Sequence, residues 1–415
     1  MRFPKLRFSE FKQDWAFYKF SDITEILRCG IASTPIYVDE GVPFLSAQNV
    51  TGDGQVSLHK YSLISEEFYK KISKNNELKK GDLLYSRVGA GYGKAALFNL
   101  DGDYGVYVSL THIRPTNTVD PEYLKQYLNS PYGNAQAKNG VVQGGGVPNL
   151  NVKTVEKFLI PLPSLKEQEK IGGFLKSLDQ KIALLNDECK CLVKYKKGVM
   201  QKIFSQEIRF KNDVGGQHPD WETKSLGDIG TFQTSSIDKL TKDNERKVFL
   251  VNYMNVYRHE NINNHSVKSY QIVSAKDSQI QSCNLKMGDI LFTPSSETPD
   301  DIGHSVVISE DLDGAVYSYH LMRFRPKIKI DIKYSHYFCN TQNVLAQLTR
   351  LATGATRFTI SIKSFSTIQV QLPCIEEQQK IASLFIKLDE KISNVQKQLE
   401  LTKQYKQGLL QQMFV

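Results

Sequence analysis

No C-x-x-C pair occurs anywhere in the chain, and its six cysteines (Cys29, Cys189, Cys191, Cys283, Cys339 and Cys374) are scattered along its length. That spacing argues against a zinc site and against a secreted disulfide framework, since both bring cysteines together in a regular pattern. Cys189 and Cys191, two apart on a helical stretch, fall on different faces. No apolar run approaches the roughly 18 residues a membrane span needs, and the polar start MRFPKLRFSEF lacks a signal-peptide core. These absences lead to the expectation of a soluble, cytoplasmic protein with reduced thiols, no metal and no membrane partner.

Catalytic signatures are missing as well. The cluster Gly89-Ala-Gly-Tyr-Gly-Lys94 invites a phosphate-loop reading, yet a Walker A loop needs Gly where Val88 stands and Ser or Thr where Ala95 stands. It also fails G-x-G-x-x-G, because Lys94 occupies the last glycine position. No H-E-x-x-H and no nucleophile elbow occurs. His259, His265, His304, His320 and His336 have no ligand spacing and are expected as ordinary surface or core histidines.

What the chain does have is an internal repeat. The stretch 164–204 is written a second time at 374–414, in register and without a gap. The copies share Glu167/Glu377, Gln168/Gln378, Lys170/Lys380, Ile171/Ile381, Leu178/Leu388, Asp179/Asp389, Lys181/Lys391 and Ile182/Ile392, then Tyr195/Tyr405, Lys196/Lys406, Gly198/Gly408, Gln201/Gln411 and Phe204/Phe414. Apolar residues recur at a four-three spacing (Ile171, Leu175, Leu178, Ile182, Leu185), which predicts one long helix per copy with a single narrow seam. Lys196 and Lys406 interrupt both seams at the same step, and Tyr195 and Tyr405 are expected to turn in over the gap. Ser164 and Glu167 read as a capping box, with Cys374 a weaker cap in the second copy. The simplest partner for either seam is the other copy, paired antiparallel as an intramolecular coiled coil.

The segments ahead of the two helices also correspond. Asp14-Trp15 and Asp220-Trp221 open them, and each carries a β-type segment ending in Asn-Val, at 42–50 and 247–256. A Gly-Asp turn feeding an apolar strand follows, KKGDLLYS and KMGDILFT, in which Gly supplies positive φ and Asp bonds its own backbone. Each copy then closes a strand on Arg-Pro (Arg114-Pro115, Arg325-Pro326), adds a helix, and reaches a glycine-bearing loop before the long helix. The expected organisation is α+β and A-B-A′-B′ with pseudo-twofold symmetry. It places a mixed domain at 1–161, a helix at 162–204, a linker at 205–217, a second mixed domain at 218–372 and a C-terminal helix at 373–415.

This order, the PKLRFSEF…DW opening, the two Gly-Asp strands, the GATRFTIS loop and the paired LP…EQ…KI…LD.KI helices together resemble the specificity subunit of type I restriction-modification systems. The likeness covers essentially the whole chain. It implies two target recognition domains, each reading half of an asymmetric, two-part double-stranded DNA sequence. The helices would fix the separation of the domains and dock two modification (methyltransferase) subunits, which restriction subunits then join. It also implies a non-catalytic chain with no cofactor of its own, S-adenosylmethionine, ATP and Mg belonging to the partners. In keeping with that, the Asn/Asp-Pro-Pro-Tyr/Phe tetrad of an adenine methyltransferase is absent: Pro148-Asn149 is followed by Leu150. Two other classes compete, a coiled-coil adaptor that binds no DNA and the detached recognition half of a fused restriction-methylation enzyme.

The net charge of +9 suits a polyanionic partner but equally a solvated lysine-rich surface, so residue types must carry the argument. Arg reads guanine, Asn and Gln read adenine, and glycine loops let the backbone approach. Candidate DNA-binding residues are Gln48, Asn49, Arg87, Tyr92, Lys94, Gln143 and Asn149 in the first domain. In the second they are Asn252, Tyr253, Asn255, Arg258, Thr293, Ser295, Ser296, Thr356 and Arg357. Singly, each is as well explained as a turn, a cap or a solvated side chain. Residues shared by both helices off the seam, Gln168, Lys181, Gln201, Gln378, Lys391 and Gln411, are the candidates for docking two identical partners.

Overall fold

The structure is a computed structural model that describes residues 4–33, 35–141 and 147–415. It divides into two compact units, Met1–Cys189 with Val395–Val415, and Lys190–Asn394. Each unit therefore contains one recognition-type domain and a portion of both long helices, Leu165–Phe204 and Ile375–Gln412.

In the first unit an antiparallel sheet runs in the order Thr24–Cys29, Leu110–Pro115, Leu83–Ser86, Ala95–Leu97. A second sheet orders Tyr37–Val38, Ser62–Ile64, Val42–Leu45 and Gly105–Val106, the last pair parallel. The second unit repeats the first design, and of the second it keeps a three-strand part with one antiparallel and one parallel pair, adding its fourth strand on the opposite edge. Its antiparallel sheet runs Gly230–Thr234, Met322–Pro326, Ile290–Phe292, Ser305–Val307. Its other sheet runs Ile272–Ala275, Arg246–Val251, Leu312–Tyr317, Asn284–Leu285, again with one parallel pair. In each unit a two-stranded ribbon ties the start of the domain to the strand that feeds the long helix: Ala16–Lys19 with Leu159–Leu162, and Glu222–Ser225 with Gln369–Leu372.

The Gly-Asp turns and the Arg-Pro strand ends, separate motifs in the sequence, are one device. Gly81 (φ 95°) and Gly288 (φ 89°) take the left-handed conformation that glycine alone adopts freely. Asp82 Oδ2 accepts from Lys79 N at 2.7 Å, and both its oxygens accept a forked bond from Arg114 at 2.8 and 2.7 Å. Asp289 does the same with Lys286 N at 2.8 Å and Arg325 at 2.7 Å on both oxygens. Burial pushes the Asp82 carboxyl up, but the bonds from His112, Arg114 and Lys79 N outweigh it and hold the group below the usual carboxylate range.

The long helices complete the domain cores. In the first unit Leu409 and Leu410 of the second helix, with Met413 and Phe414 just past its end, join Ile171 and Leu175 of the first, and Phe414 sets its ring edge-on to Tyr123 and Tyr127 at 5.4 and 5.6 Å. In the second unit Ile203 packs with Ile381 and Phe385, and Phe204 lies edge-on to Trp221 at 6.0 Å and parallel to Phe385 at 6.4 Å. Early residues of one helix thus meet late residues of the other within each unit, which is antiparallel pairing. The seam lysines confirm it reciprocally: Lys406 binds Asp179, and its repeat mate Lys196 binds Asp389. The seam gaps are closed by these ion pairs, because Tyr195 and Tyr405 are 58% and 57% exposed, not turned in as the sequence suggests.

The predicted helix cap is also corrected. The carboxylate of Glu167 is taken by a forked bond from Arg7 at 2.7 and 2.8 Å and by the Trp15 indole N–H at 3.3 Å, and Glu377 is held alike by Arg209 and Trp221. Both acids bind the start of their own domain to the long helix. That explains the arm Lys-Leu-Arg-Phe and the Asp-Trp pair that the two domains share.

Candidate nucleic-acid interface

The strand that follows each Gly-Asp turn ends against a segment that precedes the long helix, 148–150 in the first domain and 358–360 in the second. In the first domain Leu150 N donates to Arg87 O at 2.8 Å, Gly89 N to Pro148 O at 3.1 Å, and Val88 bridges Asn149. In the second, Ser295–Ser296 pairs with Phe358–Thr359, and Ile360 N donates to Pro294 O at 2.9 Å. This juxtaposition brings Tyr92, Lys94 and Asn149 onto neighbouring loops of one domain, and Tyr253, Ser295 and Arg357 together in the other.

Several candidates turn inward and are corrected accordingly. Asn49 is fully buried: its Oδ1 accepts from Ser46 N at 2.9 Å, while its Nδ2 donates to Ser57 O and Lys60 O at 2.8 and 2.9 Å. Its amide edge locks a loop and has nothing left for a base. Arg87 is 8% exposed and spends its guanidinium on Leu150 O, Val108 O and Asn149 Oδ1 at 3.0, 3.2 and 3.1 Å. Its work is to hold the 147–151 loop. Asn252 and Asn255 close a capping box on the helix Tyr253–Tyr257, and Asn255 also donates to Glu260 at 2.8 Å. Thr293 is buried with an unpartnered hydroxyl, and buried Ser296 donates to Thr298 O.

The remaining candidates keep a presentable edge. Gln48, Asn149, Arg258, Thr356 and Arg357 are exposed, and Tyr92 and Lys94 are half-buried, Lys94 donating to Asn134 Oδ1 at 3.4 Å. Tyr253 donates to Ser295 O at 2.9 Å, and Arg357 donates to Ser295 Oγ at 3.2 Å. Gln143 lies outside the described residues. The sequence gives no sign of Tyr257, Asp301 and His304, which lie beside this second-domain cluster: Tyr257 donates to Asp301 at 3.1 Å although 44 positions separate them.

The docking candidates divide in the same way. Gln168 and Gln378 are buried, each accepting from the cap residue of a domain helix (Asp120 N at 3.0 Å, Asp331 N at 2.9 Å) and donating to the proline carbonyl five residues back. They fasten helix to domain, which rules them out as docking residues. Lys181, Lys391, Gln201 and Gln411 are exposed. Gln201 borders a groove of about 810 Å³ lined by Met200, Phe204, Val344 and Val370, whereas Gln411 borders one of about 530 Å³ lined by Lys94, Lys125, Asp179 and Lys406. The first groove mixes these apolar side chains with uncharged polar ones and Lys197, whereas the second gathers several charged groups.

Among the described residues no group of His, Cys, Asp and Glu side chains could hold a metal, and no helix is long and apolar enough to cross a membrane. Duplicated mixed domains, each joining a strand end to a neighbouring loop and packed on both long helices, define a tandem-repeat α+β protein whose equivalent loop clusters carry unlike side chains. The family model for the type I restriction modification DNA specificity domain matches residues 12–192 and again 219–403, and the chain belongs to that family as a type I specificity subunit. It is similar to the putative type I restriction enzyme MjaX specificity subunit of Methanocaldococcus jannaschii, 25% identical over 98% of this chain and 94% of the relative. The MjaVIII specificity subunit of the same organism is 24% identical over 96% of this chain and 91% of the relative. In fold it resembles the type I S subunit from M. genitalium (TM-score 0.58, 15% identity, 100% and 99% of the two chains covered). A chain solved in a study of complex assembly and conformational transition of the type I R-M system is similar too (TM-score 0.60, 16% identity, 98% of both chains). The adaptor reading, which has no place for a DNA specificity domain, is overturned. The relatives are named as specificity subunits, which gives no support to the detached-half reading.

Proposed function

We propose that the two domains each read one half of an asymmetric, two-part duplex sequence, and that the chain itself performs no chemistry. The observation that carries this reading is the same strand-end and loop juxtaposition in both domains furnished with different side chains: Tyr92, Lys94 and Asn149 in one, Tyr253, Ser295 and Arg357 in the other. Equivalent placement suits two heads on one duplex, and unlike chemistry makes the two half-sites different. Exposed Lys181, Lys391, Gln201 and Gln411 are shared by both helices, which suits the docking of two methyltransferase subunits, with restriction subunits joining them. S-adenosylmethionine, ATP and Mg would act in those partners, where methyl transfer to an extruded base would take place. The assembly would work in the cytoplasm, where its DNA is.

Two measurements test this. Sequencing methylated DNA from cells with and without the gene should show one gapped motif lost on deletion; unchanged methylation with the partner subunits expressed would sink the proposal. For the chain assembled with its methyltransferase subunits, affinity for a duplex bearing that motif should fall by roughly 10³ to 10⁵ between about 50 and about 200 mM salt, through counterion release at the phosphates. A salt-independent affinity would contradict a phosphate-tracking interface.

A further inference from the structure

A row of titratable side chains lies against the second domain's candidate interface. His259 Nδ1 is 3.1 Å from the Ser305 carbonyl oxygen, His259 Nε2 is 3.2 Å from His304 Nδ1, and His304 Nε2 is 2.8 Å from Asp301 Oδ1. Both ends of this row are acceptors. Each outer ring nitrogen must therefore carry a hydrogen, and the nitrogen-to-nitrogen contact in the middle needs one more. Three hydrogens on four ring nitrogens make one neutral and one protonated imidazole. With only two, one contact sets lone pair against lone pair; with four, two N–H groups face each other.

We propose that His259 and His304 share a single proton and act as positioning residues, holding the 252–258 segment in its DNA-binding shape and making recognition of the second half-site depend on pH. This rests on the reading that 252–258, Ser295 and Arg357 face DNA. His259 sits at φ 52° just past the helix Tyr253–Tyr257, its N–H bonded to Val256 O at 3.0 Å, in the left-handed place where glycine is usual. The two ring contacts account for a histidine being held there. From the ring pair the network runs on into the interface: Tyr257 donates to Asp301 Oδ2 and lies 4.6 Å from His304, Tyr253 stacks on Tyr257 at 5.8 Å, and Tyr253 donates to Ser295 O.

The electrostatic surroundings place the charge. His259 keeps an exposed face, and partial desolvation of its ring lowers it from the ordinary imidazole range, against the opposing bond to Ser305 and with His304 adding to the lowering. The Asp301 carboxylate, 2.8 Å from His304 Nε2, is the negative charge nearest the pair. Glu297 and Asp301 both act on Tyr257, Arg357 acts on Tyr253, and Arg258 follows the helix at the exposed surface. When the shared proton leaves at higher pH, one of the three contacts is lost with it. At acid pH a second proton on His259 breaks the middle contact instead. The clamp is complete only between these limits.

The test uses the full chain with its methyltransferase subunits and the duplex identified by methylated-DNA sequencing. Histidine C2 hydrogen–deuterium exchange, read by mass spectrometry from about pH 5 to about pH 9, should show His259 and His304 titrating as a coupled pair. DNA affinity should fall roughly fivefold as the shared proton is lost, about the effect of one hydrogen bond. His304→Gln should flatten that pH profile and relax discrimination only in the half-site read by the second domain, whereas exposed His265→Gln should leave both unchanged. Independent titration of the two rings would overturn the shared proton. Coupled titration with pH-independent affinity would overturn the placement of 252–258 on the DNA face, and a profile that survives His304→Gln would overturn the positioning role.

Discussion

Glu377→Ala is expected to destabilise the second unit by about 3–5 kcal/mol, and Glu167→Ala the first by a similar amount. Each carboxylate is essentially inaccessible, at 0% and 1% exposure, and each meets an arginine that is itself 14% exposed. Removing the acid leaves a guanidinium charge facing a dry contact and an indole N–H without its acceptor, so the loss exceeds that of a surface ion pair. Glutamine at either position keeps an acceptor for the indole and should cost about half as much. The chain carries its own reporters: its two tryptophans, Trp15 and Trp221, are the residues bonded to Glu167 and Glu377. Denaturant unfolding followed by tryptophan emission should therefore show an early transition in one half of the signal for each variant. A shift below about 1 kcal/mol would mean that these clasps are ordinary surface pairs.

The second large effect separates two residues that the repeat makes equivalent. Asp179 is 9% exposed and binds Lys406, Gln126 Nε2 at 2.7 Å, and Lys125 Nζ at 3.7 Å, the lysine being 3% exposed. Asp389 is 44% exposed and binds Lys196 and the Tyr337 hydroxyl at 2.9 Å. Asp179→Ala strips Lys406 of its counterion in a mostly dry setting, while Lys125 keeps Glu122, and should cost about 3 kcal/mol. Asp389→Ala removes a solvated pair and should cost about 1 kcal/mol or less. Thermal or denaturant unfolding of the two variants side by side checks this, and equal costs would contradict it.

These residues also show how far the sequence carries. The repeat, the antiparallel pairing and the Gly-Asp turns are legible because a four-three seam and a left-handed glycine leave marks at fixed spacing. Side chains off the seam are harder, because a long helix that carries a domain has a third face, neither seam nor solvent. Glu167 and Gln168 occupy that face, so their recurrence in both copies reflects two equal attachments of domain to helix, not two equal partners. Asn49 and Arg87 have the chemistry of base readers, yet nearby backbone carbonyls absorb it, and only three-dimensional placement reveals that. The pairing of His259 with His304 joins positions 45 apart and has no linear signature at all.

The central claim is that one chain carries two independent readers. Its most direct test replaces residues 218–372 with the corresponding domain of a relative and sequences the methylated DNA of cells that express the hybrid with its partner subunits. The expected motif has one new half-site, while the other half-site and the gap stay as they were. A hybrid that changes both half-sites, or that still methylates the original motif, would contradict it.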